Sequence, residues 1–202
     1  MTRIKMCGLS REVDIRKANE LKPEYIGFVF WERSSRNVSY EKARELKALL
    51  DPSIRAVGVF VDEDFLKVKK LLDDGIIDIA QLHGSEDEDY ILNLQKETSK
   101  KVIKAYKIRS EEDIEVANNS AADYILLDSG MGTGKVFDWS LLQRVERPYF
   151  LAGGLNPGNV SEAIRKLHPY AVDVSSGIET DGVKDTDKMA AFAAAVRKED
   201  EI

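Results

Sequence analysis

The stretch Ile4-Lys5-Met6-Cys7-Gly8-Leu9-Ser10 decides how the chain is read. A short apolar run ends at the only cysteine, a glycine opens a turn, and Ser10 stands where it could cap a helix. The thiol therefore sits where a strand hands over to a helix. By itself it reads as a small buried hydrophobe, the ordinary fate of a free cysteine. In a repeating β/α protein, the same edge is where chemistry is done.

Working outward, the pattern of that stretch repeats. Apolar runs occur at Ile4–Cys7, Tyr25–Phe30, Arg55–Val61, Ile79–His83, Val102–Ile108, Tyr124–Asp128, Tyr149–Ala152 and Ala171–Ser175. Their starts are roughly 21 to 30 residues apart, one βα unit each. They are nearly continuous in apolar character, as strands covered on both faces must be. Helical patterns fill the gaps, for example Ala43, Leu46, Leu49 and Leu50 within Ser39–Leu50, and a short one at Trp139–Val145. Asn159-Val160-Ser161-Glu162 resembles a capping box opening the seventh helix. Eight such units with no linker or composition break predict one domain over 1–202, an α/β chain folded as a (β/α)8 TIM barrel. A doubly wound open sheet would need a glycine-rich phosphate turn after the first strand, which Cys7-Gly8-Leu9-Ser10-Arg11 does not supply.

Composition narrows the function. The net charge is −6 and is spread along the chain, which speaks against a nucleic-acid or anionic-membrane surface. One cysteine and two histidines, His83 and His168, leave no disulfide framework and little material for a metal site. No apolar run is long enough to span a bilayer and no signal peptide is visible, so the expected compartment is the cytoplasm.

A barrel carries its site at the C-terminal strand ends. There, Gly153-Gly154 allows close backbone approach to a ligand, and Ser175-Ser176-Gly177 offers N–H groups and two hydroxyls. Adjacent loops of this kind after strands 7 and 8 predict a phosphate site, with a short extra helix after strand 8. The glycine-rich loop after Asp128 is not a P-loop, because Ser129 and Val136 stand where glycine and Ser or Thr are required. It reads instead as a mobile cover. Asp128 ends an apolar strand, either bonding its own turn or facing the pocket. Arg36, in a long polar loop, is either a solvated charge or a fork for a substrate carboxylate. His83 is a structural group or a substrate contact, and with Gln81 it could line the barrel interior. His168 falls on the opposite, stability face.

Taken together, these loops resemble phosphoribosylanthranilate isomerases. The matching segments are Lys5–Gly8, Gly27–Phe30, Ser34–Val38, Val57–Phe60, Gln81–Gly84, Leu127-Asp128, Gly132–Trp139, Leu151–Leu155 and Asp173–Glu179. Ser35 stands where the family has proline, which implies a looser Arg36 loop, and Met6 where isoleucine or valine is commoner. The resemblance implies an Amadori rearrangement of an aminoaldose phosphate, with Cys7 as general base and Asp128 as general acid. It also implies that Arg36 takes the anthranilate carboxylate at the rim away from the phosphate loops. Gly154 and Ser175–Gly177 would take the phosphate. The implied partner is a phosphorylated small molecule, with no cofactor, metal, nucleic acid or membrane, in a monomer or homodimer. Two rivals remain: another isomerase or synthase on the same barrel, and a silent barrel that senses a phosphorylated ligand. An aspartate at position 7 would have favoured the bifunctional isomerases of the histidine and tryptophan pathways.

Overall fold

In the computed structural model, residues 1–128 and 139–199 are described, the side chains of Trp139 and Ser140 excepted. Eight parallel strands close on themselves in chain order. They are β1 (Arg3–Cys7), β2 (Tyr25–Val29), β3 (Arg55–Phe60), β4 (Ile79–Leu82), β5 (Lys101–Lys107), β6 (Tyr124–Asp128), β7 (Tyr149–Ala152) and β8 (Ala171–Val174). The seam is a true parallel pairing, with Lys5 opposite Asp173 and Met6 opposite Val174, so the open-sheet alternative does not apply. The helices are α1 (Glu12–Leu21), α2 (Tyr40–Leu49), α3 (Phe65–Asp73), α4 (Glu88–Thr98), α5 (Glu111–Asn118), α6 (Val160–Leu167) and α7 (Thr186–Glu199). Among the described residues no helix is long and apolar enough to cross a membrane.

Strand alternation divides the core into two shells. Outward residues such as Ile4, Met6, Phe28 and Phe60 pack against helix residues such as Ile15, Ala18, Leu46 and Leu71. Inward residues Tyr25, Val57, Ile79, Ile103, Leu126, Phe150 and Ala171 fill the lower barrel. Tyr170 closes its floor, its hydroxyl 3.2 Å from that of Tyr25 and 3.3 Å from that of Tyr124. With the floor filled by aromatic rings, polar side chains can enter only from the other end.

Three local expectations are corrected. Ser10 does not cap α1. The cap position is Arg11, and the buried Asp14 carboxylate accepts the N–H groups of Ser10 and Arg11 at 3.1 and 3.0 Å. A carboxylate at the third helical position thus takes the N–H groups at and just before the cap, the reciprocal half of a capping box. Asn159 stands at the cap of α6 but makes no capping bond. Its side chain is spent on the preceding loop, accepting from Asn156 N–H at 2.8 Å and donating to the Gly154 carbonyl at 3.0 Å. The sixth unit carries a 3-10 helix, Trp139–Arg144, in place of an α-helix.

After β8 comes the short extra helix, a 3-10 turn at Ser176–Ile178. A hairpin that the apolar pattern did not announce follows it, β9 (Glu179–Thr180) and β10 (Val183–Lys184). Asp181 and Gly182 turn it with φ of 52° and 78°, the left-handed pair that two-residue hairpins favour. His168 caps the C-terminus of α6, at the entry to β8 and away from the catalytic face.

Candidate active site

Cys7 closes β1 with its residue 7% exposed, packed beside Val29 and Val59. Its space is made by a glycine on the neighbouring strand. Gly27 lies opposite Cys7 in register, and a Cβ there would come within 2.7 Å of the sulfur. Gly8, at φ +80°, makes room for the next group, since a Cβ on it would stand 2.5 Å from Arg36 Cδ. The stem of Arg36 therefore lies over the turn that follows the thiol.

The Arg36 fork is engaged. Its Nε and Nη2 each donate to a Glu179 carboxylate oxygen at 2.6 Å. Among the described residues Nη1 has no hydrogen-bond partner. The bond to Glu179 holds the guanidinium above its ordinary pKa. Burial works to raise the Glu179 carboxyl, but Arg36 and Lys184 outweigh it and hold it below the usual range. The buried Lys184 ammonium also donates to the Ser175 carbonyl at 3.0 Å. Arg36 is thus joined to the segment leaving β8, rather than set apart from the phosphate loops as expected. Within its loop the Arg36 N–H donates to Ser34 Oγ at 3.1 Å.

The two loops expected to bind phosphate touch each other. Gly153 and Gly154 adopt φ of 95° and 66°, which turns their peptide groups as few other residues could. A Cβ on Gly177 would fall 1.9 Å from the Leu155 carbonyl, so the loops after β7 and β8 abut backbone to backbone. Gly154 and Ser176 are exposed there, and the Lys184 ammonium bonds the neighbouring Ser175.

Asp128 closes β6, in register with Lys107 on β5 and Ala152 on β7. Two strands separate it from Cys7 around the ring. Gln81 and His83 do line the interior, with Gln81 Nε2 3.1 Å from His83 Nδ1. Burial lowers the His83 pKa against the pull of Asp128, which keeps the imidazole neutral near pH 7. The glycine-rich cover expected at Ser129–Lys135 lies outside the described residues, as does most of the Gly132–Trp139 match. Among the described residues no group of three or more His, Cys, Asp or Glu could hold a metal ion.

Four charged residues escaped the reading of the loops: Lys5, Asp173, Glu179 and Lys184. The Lys5 ammonium is fully buried and donates to Asp173 Oδ2 at 2.9 Å. Asp173 Oδ1 and Gln81 Oε1 are buried acceptors without a partner. The signal for Lys5 and Asp173 was present in the sequence. Each is a charge inside an apolar run, two residues before a rim residue, Cys7 or Ser175, and so on the same inward face.

The architecture and the site define a class, the (β/α)8 barrel enzymes that gather ionisable side chains and glycine-rich loops at one mouth. Comparison with known proteins narrows it. A profile of the family described as N-(5'-phosphoribosyl)anthranilate (PRA) isomerase matches residues 4–195. The N-(5'-phosphoribosyl)anthranilate isomerase of Thermoanaerobacter sp. (strain X514) is 46% identical, covering 98% of each chain. The crystal structure of the Thermotoga maritima enzyme superposes with a TM-score of 0.91 at 37% identity, over 98% of this chain and 100% of that one. A structure of phosphoribosyl anthranilate isomerase in complex with reduced 1-(o-carboxyphenylamino)-1-deoxyribulose 5-phosphate superposes at 0.88, also 37% identical, with the same coverage. The chain belongs to the N-(5'-phosphoribosyl)anthranilate isomerase family, and it is an isomerase of that kind.

Proposed function

We propose that the chain isomerises N-(5'-phosphoribosyl)anthranilate to 1-(2-carboxyphenylamino)-1-deoxyribulose 5-phosphate, a step of tryptophan biosynthesis, with Cys7 as general base and Asp128 as general acid. Asp128 protonates the ribose ring oxygen as the C1′–O bond breaks, and the nitrogen lone pair forms the C1′=N bond. Cys7 takes the proton from C2′, and those electrons make the C1′=C2′ bond while the nitrogen recovers its pair. Transfer of the C2′ hydroxyl proton, with return of a proton to C1′, leaves the ketone. The steps balance by proton transfer alone, so no cofactor is invoked.

The observation that carries this reading is the pair of strand ends. A thiol and a carboxyl close β1 and β6 of one closed ring, in register with interior residues and on either side of its mouth. Two groups that must act on substrate atoms two bonds apart, the ring oxygen and C2′, need such an arrangement. Arg36, beside Cys7, offers its Nη1 edge to the anthranilate carboxylate. Gly154 and Ser175–Gly177 bind the phosphate, with the Lys184 ammonium bonded to the Ser175 carbonyl beside them. His83, held neutral, serves as a hydrogen-bonding contact for the substrate. Every group invoked comes from one chain, so the site is complete in a monomer as well as in a homodimer.

The test is the loss of phosphoribosylanthranilate fluorescence on adding purified protein in phosphate-free buffer. Turnover that saturates with substrate supports the assignment. A folded preparation that binds the substrate without consuming it would mean that the barrel is a sensor.

A further inference from the structure

A lysine–aspartate pair inside a barrel needs an explanation. These interiors are ordinarily layers of Val, Ile and Leu. A buried ion pair adds little stability over an apolar pair of the same size, because desolvation offsets the attraction. Here the cost is increased, since Asp173 leaves Oδ1 buried without a partner. The pair sits one strand step below the thiol. Lys5 precedes Cys7 by two residues on β1, so both side chains enter the barrel on the same face, and the ammonium donates to Asp173 Oδ2 at 2.9 Å.

We infer that Lys5, clamped by Asp173, is a positioning residue for Cys7: its buried ammonium supplies the counter-charge that lets the sulfur act as a thiolate. The inference rests on the reading of Cys7 as the base. Charge balance supports it. Lys5 on β1, Lys184 on β10 and Arg36 in the loop after β2 are the cations that act electrostatically on the sulfur. Asp173 and Glu179 answer two of those charges, which leaves one positive charge unmatched until Cys7 ionises. Across the mouth, the imidazole of His83 is neutral. Burial pushes the thiol above its ordinary pKa, Lys5 is the largest influence against burial, and Asp173 adds to the rise. For Lys5, burial opposes the charge, but Asp173 and Cys7 outweigh it and hold the ammonium protonated.

The roles of the two partners have opposite signs, and this makes the test specific. The chain has a single cysteine, so the isotope-labelled β-carbon of Cys7 reports one ionisation by NMR across a pH series. In Lys5→Met the midpoint should rise by about one to three pH units, the usual effect of losing a close opposite charge. In Asp173→Asn it should fall. Should Lys5→Met fail to fold, the double variant Lys5→Met/Asp173→Asn removes both charges and should still show a raised midpoint, because Lys5 outweighs Asp173. The pH profile of kcat/KM should move with the NMR midpoint in each folded variant. Midpoints that stay in place, or that shift the same way in Asp173→Asn as in the Lys5 variants, would overturn the inference. Failure of Cys7 as the base is a separate result, namely a Cys7→Ala enzyme that keeps its turnover.

Discussion

At the scale of single residues, the site depends on what stands beside the reacting groups. Asp128→Asn removes the proton but keeps the shape. Turnover should fall about 10²-fold or more, with KM changed far less, because the ring oxygen is engaged chiefly in the transition state. Steady-state kinetics would contradict this with a normal kcat and a greatly raised KM. Gly27→Ala tests the space around the thiol. A Cβ placed 2.7 Å from the sulfur must displace it or the strand. The expected result is a lowered kcat in a protein that still denatures cooperatively; parental kcat would show that the thiol tolerates displacement. Cys7 and Asp128 stood out as candidates in the sequence because each ends an apolar run. The pairing of Arg36 with Glu179 was not, since a salt bridge between residues 143 positions apart leaves no mark on local pattern.

At the scale of elements, the loops after β7 and β8 act as one unit. Gly177 touches the Leu155 carbonyl, and Asn159 ties Asn156 to Gly154. Gly177→Ala must push the two backbones apart. The prediction is a raised KM and weaker competition by inorganic phosphate, with kcat affected much less. Unchanged competition would mean that the anion binds elsewhere. The strands were predicted to within a residue because their apolar runs are bounded by glycine, proline and charge. Capping was less legible: Asp14 and Ser10 are both good capping types, and which one serves depends on the three-dimensional turn. The β9–β10 hairpin, two residues a side, is too short to show alternation.

At the scale of the whole molecule, the β1–β8 seam is both the closure of the barrel and the seat of the Lys5–Asp173 pair. Breaking that pair from one side strands a buried charge, at a cost of about 3–5 kcal/mol. Chemical denaturation should therefore show a lower midpoint for Lys5→Met, with most of the loss recovered in Lys5→Met/Asp173→Asn. Equal losses in the single and double variants would mean that the pair is not coupled. The pH dependence has a definite sign. Lys5 is raised in the folded state, so its contribution is complete below its unfolded pKa and is lost as pH rises through the folded value. Cys7, also raised, adds to the loss above the ordinary thiol pKa, because the unfolded chain ionises first. Stability should decline on the alkaline side, and the alkaline decline should be smaller in Cys7→Ala. The barrel could be read from eight apolar runs at even spacing. Its charged interior follows from period-two placement, which a search for apolar strands passes over.

The most direct test of the account is kcat for Cys7→Ala, measured by phosphoribosylanthranilate fluorescence at saturating substrate, with circular dichroism to verify the fold. The account predicts a folded protein whose turnover is reduced by at least about 10²-fold, the low end for losing a general base. A folded Cys7→Ala protein with near-parental kcat would contradict it.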